Sequence, residues 1–287
     1  FSLKKMSRPE LQLPPDLFYN DQESRKYTSS SRIIQVQNDI ANRCIELLTL
    51  PEGKSSYILD VGCGSGLSGQ ALEEAGHVWL GCDISPSMLE VAVDQRDDDS
   101  TGDVMRHDMG LGLPFTQATF DGCISVSALQ WLCYSDVNSQ SGKKRLTRFF
   151  SSLYSCLKRG AKAALQFYPE TPEQAVLIAQ CANDVGFMGG VVVDFPNSSK
   201  AKKYYLCLGF DRGAAAPEGL TSNTADGTNS VKVGSKKTMK MMKGRQRVSK
   251  AQADKDWVMA KKEKRRNANK ETRRDSKYTA RKRKDKF

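Results

Sequence analysis

Apolar and polar residues recur with two different periods along this chain, and the switches between the periods outline a fold. Up to Asn20 the chain is Pro-rich and irregular. From Asp21, a candidate N-cap, the pattern turns helical through Ser24 and Tyr27. Ile33, Val36, Ile40, Ile45, Leu47 and Leu48 then form an apolar stripe of helical spacing, which Pro51 and Gly53 stop. A repeating alternation follows. Tyr57–Val61 reads as a short buried strand that runs into a glycine-rich turn. Leu67–Ala75 reads as a helix with Gly76 past its end. Val78–Cys82 is a second strand ending at Asp83, and Ser85 and Pro86 look like the cap and first residue of a helix through Val93. Asp103–His107 is a short third strand and Phe120–Val126 a fourth. After a polar loop at 135–143, Lys144–Leu157 reads as a helix with Gly160 as its stop. Ala161–Tyr168 is a fifth strand, and Pro172–Val185 a helix closed by Gly186. Val191–Phe195 and Tyr204–Phe210 are the last strands, with no long helix between them.

Strands alternating with helices predict an α/β fold: a mostly parallel sheet covered on both faces. The short final link predicts one reversed strand among seven. Hydrophobic residues make up 39% of the 287, enough for one sizeable core. The pattern divides the chain into an N-terminal helical extension at 1–50, an α/β domain at 51–212, a Gly/Ala/Ser/Thr/Asn linker at 213–235 and a tail at 236–287.

Charge changes the picture only at the end. Residues 232–287 hold 23 Lys/Arg against 6 Asp/Glu, whereas residues 1–231 carry a net charge of −6. A mildly acidic body with a basic arm points to a polyanionic partner, above all nucleic acid. Lys261, Lys262, Arg265 and Arg266 lie in a stretch, Ser249–Arg266, that can become helical on binding. Arg281, Lys282, Arg283 and Lys284 form a basic run of the nuclear-import kind. Trp257 and Tyr278 are available to stack on bases. Such an arm supplies affinity for phosphates rather than choice of base.

The eight cysteines, at 44, 63, 82, 123, 133, 156, 181 and 207, form no C-x-x-C pair, so the sequence offers no metal site. They read as buried free thiols of a reducing compartment. No apolar run approaches the length of about 18 residues that marks a membrane span, and no signal-peptide core is visible near the N-terminus.

The chemistry is concentrated in Asp60-Val61-Gly62-Cys63-Gly64-Ser65-Gly66. A strand ending in glycines and opening into a helix lets a ligand approach bare backbone and unpaired N–H groups. Leu67 stands where the dinucleotide fingerprint needs its third glycine, and no G-x-x-x-x-G-K-[ST] occurs, so NAD and ATP fit poorly. The turn instead resembles the first motif of class I methyltransferases, which bind S-adenosylmethionine. The Asp60 carboxylate is placed to receive the ammonium of that cofactor. Asp83, ending the second strand, suits the two ribose hydroxyls. Asp108, after the third, suits the adenine amino group, with Met109 against the ring. The fourth-strand exit, from Ser125 to Trp131, lies where the methyl group would be.

The acceptor is narrowed by elimination. The exit has no [DNS]-P-P-[YF], the mark of enzymes acting on exocyclic amines, and no cysteine follows a proline, as cytosine-carbon methylation needs. What remains is a nucleophile with its own lone pair, or a hydroxyl or carboxylate. Guanine N7 fits, since it attacks in line and loses no proton, so positioning and electrostatics suffice. His77 and His107, beside strands, read as structural.

A closer resemblance rests on Arg8-Pro9-Glu10, Pro14-Pro15 with Leu17-Phe18-Tyr19, Arg25-Lys26-Tyr27, Ser31-Arg32, Asp83-Ile84-Ser85-Pro86, Phe120 to Ser125, Leu129-Gln130-Trp131-Leu132, Tyr168-Pro169-Glu170, Pro196-Asn197-Ser198 and Tyr278-Thr279. These segments resemble the eukaryotic small-subunit (18S) rRNA guanine-N7 methyltransferases over nearly the whole chain, the linker excepted. The resemblance implies that Tyr27, Cys63, Ile84 and Ser125 join Asp60, Gly62, Gly64, Gly66, Asp83, Asp108 and Met109 around the cofactor. It also implies positioning roles for Ser125, Gln130, Trp131 and Pro169 at the acceptor. It further implies ribosome biogenesis in the nucleus and nucleolus, with the cytoplasm as a further compartment, and rRNA of the pre-40S particle as substrate. A small zinc-binding activator subunit is implied as partner, through the edge strand near Gly102–Met109. That edge is short and half polar, so its own charges are an alternative blunting device. Two other functions stay open on the residues alone: a small-molecule or protein methyltransferase with an unrelated tail, and a methyltransferase-fold assembly scaffold.

Overall fold

The computed structural model describes residues 8–134, 141–198 and 200–211, with 217, 219–221, 259, 262 and 266. The chain divides into two compact units, Phe1–Asn223 and Thr224–Phe287. In the second unit Met259, Lys262 and Arg266 are helical. The other singled-out tail positions, Lys261, Arg265, Arg281, Lys282, Arg283, Lys284, Trp257 and Tyr278, lie outside the described residues.

In the first unit two short 3-10 and α turns, Pro9–Leu11 and α1 (Pro15–Phe18), interrupt the stretch that reads as irregular, each with proline in its first turn. Helix α2 (Asp21–Ser29) is capped by Asn20 rather than Asp21: the Asn20 side chain accepts from the N–H of Gln22 and Glu23. Helix α3 (Ser31–Leu48), capped by Ser30, buries Ile40, Ala41, Cys44, Leu47 and Leu48, while Val36 at its N-terminal end is exposed. The remaining elements are β1 (Tyr57–Val61), α4 (Leu67–Glu74), β2 (Val78–Asp83), α5 (Pro86–Asp94), β3 (Gly102–Arg106), β4 (Phe120–Val126), α6 (Gly142–Cys156), β5 (Leu157–Phe167), α7 (Pro172–Val185), β6 (Met188–Asp194) and β7 (Lys203–Gly209).

Seven strands form one sheet in the order β3-β2-β1-β4-β5-β7-β6, with only β7 reversed. The sheet has a core on each face. Leu59, Val61, Cys123 and Leu165 point to the α6–α7 side, against Phe149, Phe150, Leu153 and Ile178. Ile58, Ile124 and Ala164 point to the α3–α4 side, against Ile40, Leu47 and Leu72. This strand alternation also sends Asp60 to the α4 side, where Ser68 meets it. Trp79 occupies room left by three glycines: a Cβ on Gly69, Gly81 or Gly102 would come within 2.2, 2.7 or 1.9 Å of its ring.

Two expectations change. Ser141 caps α6, so the helix starts at Gly142, two residues before Lys144. At its other end Gly160 stops no helix. Helix α6 ends at Cys156, the chain enters β5 at once, and the register against β4 shifts between Phe120 and Gly122, which pair with Leu157 and Lys162. Gly160, at φ 85°, sits in the extra residues of this bulge, where left-handed backbone is needed. Within the stretch read as linker, the Leu220 N–H donates to Asp194 Oδ1 at 2.7 Å and its carbonyl accepts from the Phe195 N–H at 2.6 Å. Asp194, at the end of β6, is buried and also pairs with Arg43 of α3 at 3.0 Å.

Candidate active site

The carboxyl ends of β1, β2 and β4 open onto one cleft, the usual ligand position in such sheets. Pro15, Tyr19 and Tyr27 of the N-terminal segment and Gln37 of α3 close it from above. The floor is the glycine turn. Gly62, Gly64 and Gly66 have φ of 73°, 53° and 83°, a left-handed run that side chains rarely adopt. At Gly62 space is as strict as conformation, because a Cβ would lie 2.2 Å from Ala128 Cβ. The Gly62 N–H is fixed on the Cys82 carbonyl at 2.7 Å, joining β1's end to β2's.

Asp60 is fully buried beneath this turn. Its Oδ2 accepts from Ser68 Oγ at 2.5 Å, while Oδ1 has no hydrogen-bond partner among the described residues. Burial pushes its pKa up to about 7, with the Asp83 charge adding to the rise and the Ser68 bond opposing it. Ser65 Oγ is a second buried atom there with no hydrogen-bond partner among the described residues. Buried orphans of this kind cost free energy unless a ligand satisfies them, and a cationic amine suits Oδ1 of Asp60.

Asp83 ends β2 at the rim. Its two oxygens accept from the N–H of Gly64 at 2.9 Å and of Ser85 at 2.8 Å. Burial raises its pKa despite these bonds. Each oxygen retains a lone pair for a hydroxyl. Across the cleft, Asp108 accepts from the Gly110 N–H at 2.8 Å and from Arg145 Nη2 at 3.0 Å. Arg145 comes from α6, lines the cleft, and holds the Tyr134 carbonyl with Nη1; its Nε is buried with no hydrogen-bond partner among the described residues.

The residues singled out from sequence therefore divide. Tyr27, Gly62, Cys63, Gly64, Asp83, Ile84, Asp108, Met109 and Trp131 line the cleft. Asp60 and Gly66 lie beneath it. Ser125 is buried, and its hydroxyl donates to the Val61 carbonyl at 2.7 Å, tying β4 to β1. Gln130 is buried too: Nε2 donates to the Ser127 carbonyl at 2.7 Å, and Oε1 accepts from the Tyr168 N–H at 3.4 Å. Pro169 accepts through its carbonyl from Arg8. His77 accepts from the Ser56 N–H at the far end of β2, whereas His107 borders the cleft and bonds the Gly112 carbonyl.

Sequence reading did not single out Tyr19, Gln37 or Arg145 as site residues, and took in Ser127 only as part of the Ser125–Trp131 exit. Ser127 carries the one available signal, since it directly follows a strand that ends at a glycine-turn site. It is held at φ 60° by bonds from its N–H and Oγ to Gln166 Oε1 at 2.9 and 2.8 Å. Such strain persists only where neighbours over-determine it. Above it, Phe18, Tyr19 and Trp131 form an aromatic cluster with centroids 5.0 to 6.1 Å apart.

Comparison with known proteins agrees with this geometry. Residues 59–165 match the family model described as a methyltransferase domain, and residues 206–285 the model described as a methyltransferase involved in Williams-Beuren syndrome. Among solved structures, phosphoethanolamine N-methyltransferase 2 of Haemonchus contortus, in a complex with S-adenosylhomocysteine, shares the fold at TM-score 0.52 and 18% identity, covering 68% of this chain and 58% of its own. The 18S rRNA (guanine-N(7))-methyltransferase of Mus musculus is 51% identical, over 98% of each chain. The 18S rRNA (guanine(1575)-N(7))-methyltransferase of Saccharomyces cerevisiae is 44% identical, over 98% of this chain and all of its own. The likeness to these relatives runs along nearly the full length of the chain, and the chain belongs to the 18S rRNA (guanine-N7)-methyltransferase family.

Proposed function

We propose that this protein transfers a methyl group from S-adenosylmethionine to N7 of a guanine in 18S rRNA during small-subunit biogenesis. The observation that carries this reading is the 51% identity over 98% of the chain, body and arm together. The site fits the cofactor on its own terms, since a buried orphan carboxylate oxygen lies beneath the glycine turn, the backbone cradle is closed to side chains and a rim carboxylate lines the cleft. When bound, the cofactor supplies an electrophilic methyl on a positively charged sulfur.

Asp60 Oδ1 receives the ammonium, Asp83 the ribose hydroxyls, and Asp108, held by Arg145, the adenine amino group. Gln130 and Ser127 lock the β4 exit to the end of β5, so the acceptor base has one seat. Ser125 and Pro169 support that seat through the backbone, and the face of Trp131 favours a base that is becoming cationic. Guanine N7 needs no general base, and neither histidine is asked to move a proton.

Lys262 and Arg266, with the basic residues around them, supply phosphate affinity. A small zinc-binding activator adds a strand to the open edge at Gly102–Met109. The protein works in the nucleus and nucleolus. The test is methyl incorporation by the complex into small-subunit precursors from cells lacking the enzyme. The expected result is N7-methylguanine at one 18S position. Label confined to protein, or to another base atom, would overturn the assignment.

A further inference from the structure

The residues that would hold the cofactor do not by themselves select guanine as the acceptor. Guanine differs from the other bases in presenting two adjacent donors, N1–H and the N2 amino group, on one edge. A carboxylate matches that pair with two parallel bonds, and no other base can return the match. The relevant group must therefore be an acidic side chain near the β4 and β5 ends, with a free acceptor atom.

Glu10 meets these requirements. Its segment is strapped to the acceptor end, because Arg8 donates from Nη1 to the Tyr168 carbonyl and from Nη2 to the Pro169 carbonyl, both at 2.9 Å. Those carbonyls directly follow β5, beside the Gln130 bridge to the β4 exit. Glu10 Oε2 is buried and has no hydrogen-bond partner among the described residues. The Glu10 charge also reaches Tyr19 of the aromatic cluster, adding to burial and to Asp83 in raising that hydroxyl's pKa. A purely structural carboxylate would be bonded, because a buried orphan oxygen destabilises the fold. The segment that carries the orphan leads directly into Phe18 and Tyr19, whose rings cluster with Trp131 and are fit to stack on a base, the arrangement of a reader whose partner arrives with the substrate.

We propose that Glu10 is the residue that reads the Watson–Crick edge of the acceptor guanine, on the reading that this cleft methylates guanine N7. In the transfer, the N7 lone pair forms the new bond to the methyl carbon. The carbon–sulfur bond breaks and its pair returns to sulfur, so sulfur becomes neutral and the base gains one positive charge. No proton leaves. The N1–H and N2–H donors strengthen as that charge develops, so a carboxylate facing them binds the transition state more tightly than the ground state.

Glu10→Gln keeps the shape and turns one acceptor into a donor. The test compares it with the wild type, each with its activator, for single-turnover methyl transfer to saturating precursor particles from cells lacking the enzyme. S-adenosylmethionine affinity and melting temperature are measured in parallel. The expected result is a rate loss of about 10-fold or more, with cofactor affinity and melting temperature unchanged. An unchanged rate overturns the proposal. So does a rate loss accompanied by an equal loss of cofactor affinity or of stability, which would make Glu10 part of the strap alone. A wild-type complex that leaves guanine unmethylated defeats the underlying function instead, and is seen before any variant is compared.

Discussion

Asp60→Asn separates what the glycine turn costs the fold from what it does for the ligand. Folding raises the Asp60 pKa from its ordinary 3.8 to about 7, chiefly by burial. At about 1.4 kcal/mol per pKa unit, that rise is on the order of 4 kcal/mol. Between pH 4 and 7 the native state holds a proton that the unfolded chain has released. Stability without cofactor therefore falls as pH rises through this window, and the loss is complete above about pH 7. Asparagine removes the charge and keeps the size, so the variant should match the wild type near pH 4 and exceed it by up to about 4 kcal/mol at pH 8. The assay is urea unfolding of both proteins from pH 4 to 8, taken as a difference so that other groups largely cancel. Cofactor binding should move the opposite way. Docking an ammonium on Oδ1 favours the carboxylate, so wild-type affinity should rise from pH 6 to 7.5 with proton release, and the variant should bind weakly at every pH. A stability difference that stays flat with pH, or an Asn variant that binds cofactor normally, would refute the reasoning.

Gly62→Ala combines φ 73° with a Cβ 2.2 Å from Ala128. It should cost at least about 2 kcal/mol, lower the melting temperature and abolish cofactor binding; adding Ala128→Gly should restore only the part due to crowding. Arg145→Ala leaves Asp108 without its cation and should raise the KM for S-adenosylmethionine about 10-fold with little change in kcat, read by initial rates. Val104→Pro tests the edge strand. The Val104 N–H bonds the Asp103 side chain rather than the sheet, so proline should spare the fold while abolishing co-purification with the activator. Truncation after residue 231 should weaken particle binding and flatten its salt dependence, measured between about 50 and 200 mM salt.

What was legible in the sequence was what local chemistry decides. A strand end followed by left-handed glycines shows in one short segment, and so do Ser85-Pro86 as a helix start and the acids after successive strands. Arg145 was invisible because its meaning comes from Asp108, 37 residues away, across a helix register that no motif encodes. Tyr19 and Gln37 depend likewise on how α1–α3 fold back over the sheet. Gly160 misled for a different reason. A glycine after a helix ordinarily ends it, but here β4 takes Leu157 into the sheet, and long-range pairing overrides the local stop. Asn20 displaced Asp21 as a cap by one position, within the usual slack of helix ends.

The tether at Leu220 bears on which margin of the sheet is open to extension. A sheet with two bare margins can recruit strands at both and grow into ribbons. In this protein the terminal stretch of β6 is occupied from within, by the Leu220 carbonyl on Phe195 and the Leu220 N–H on Asp194. Among the described residues no such tether crosses the margin formed by β3. An activator that joins by strand addition, as proposed above, would therefore be directed to β3 rather than to β6.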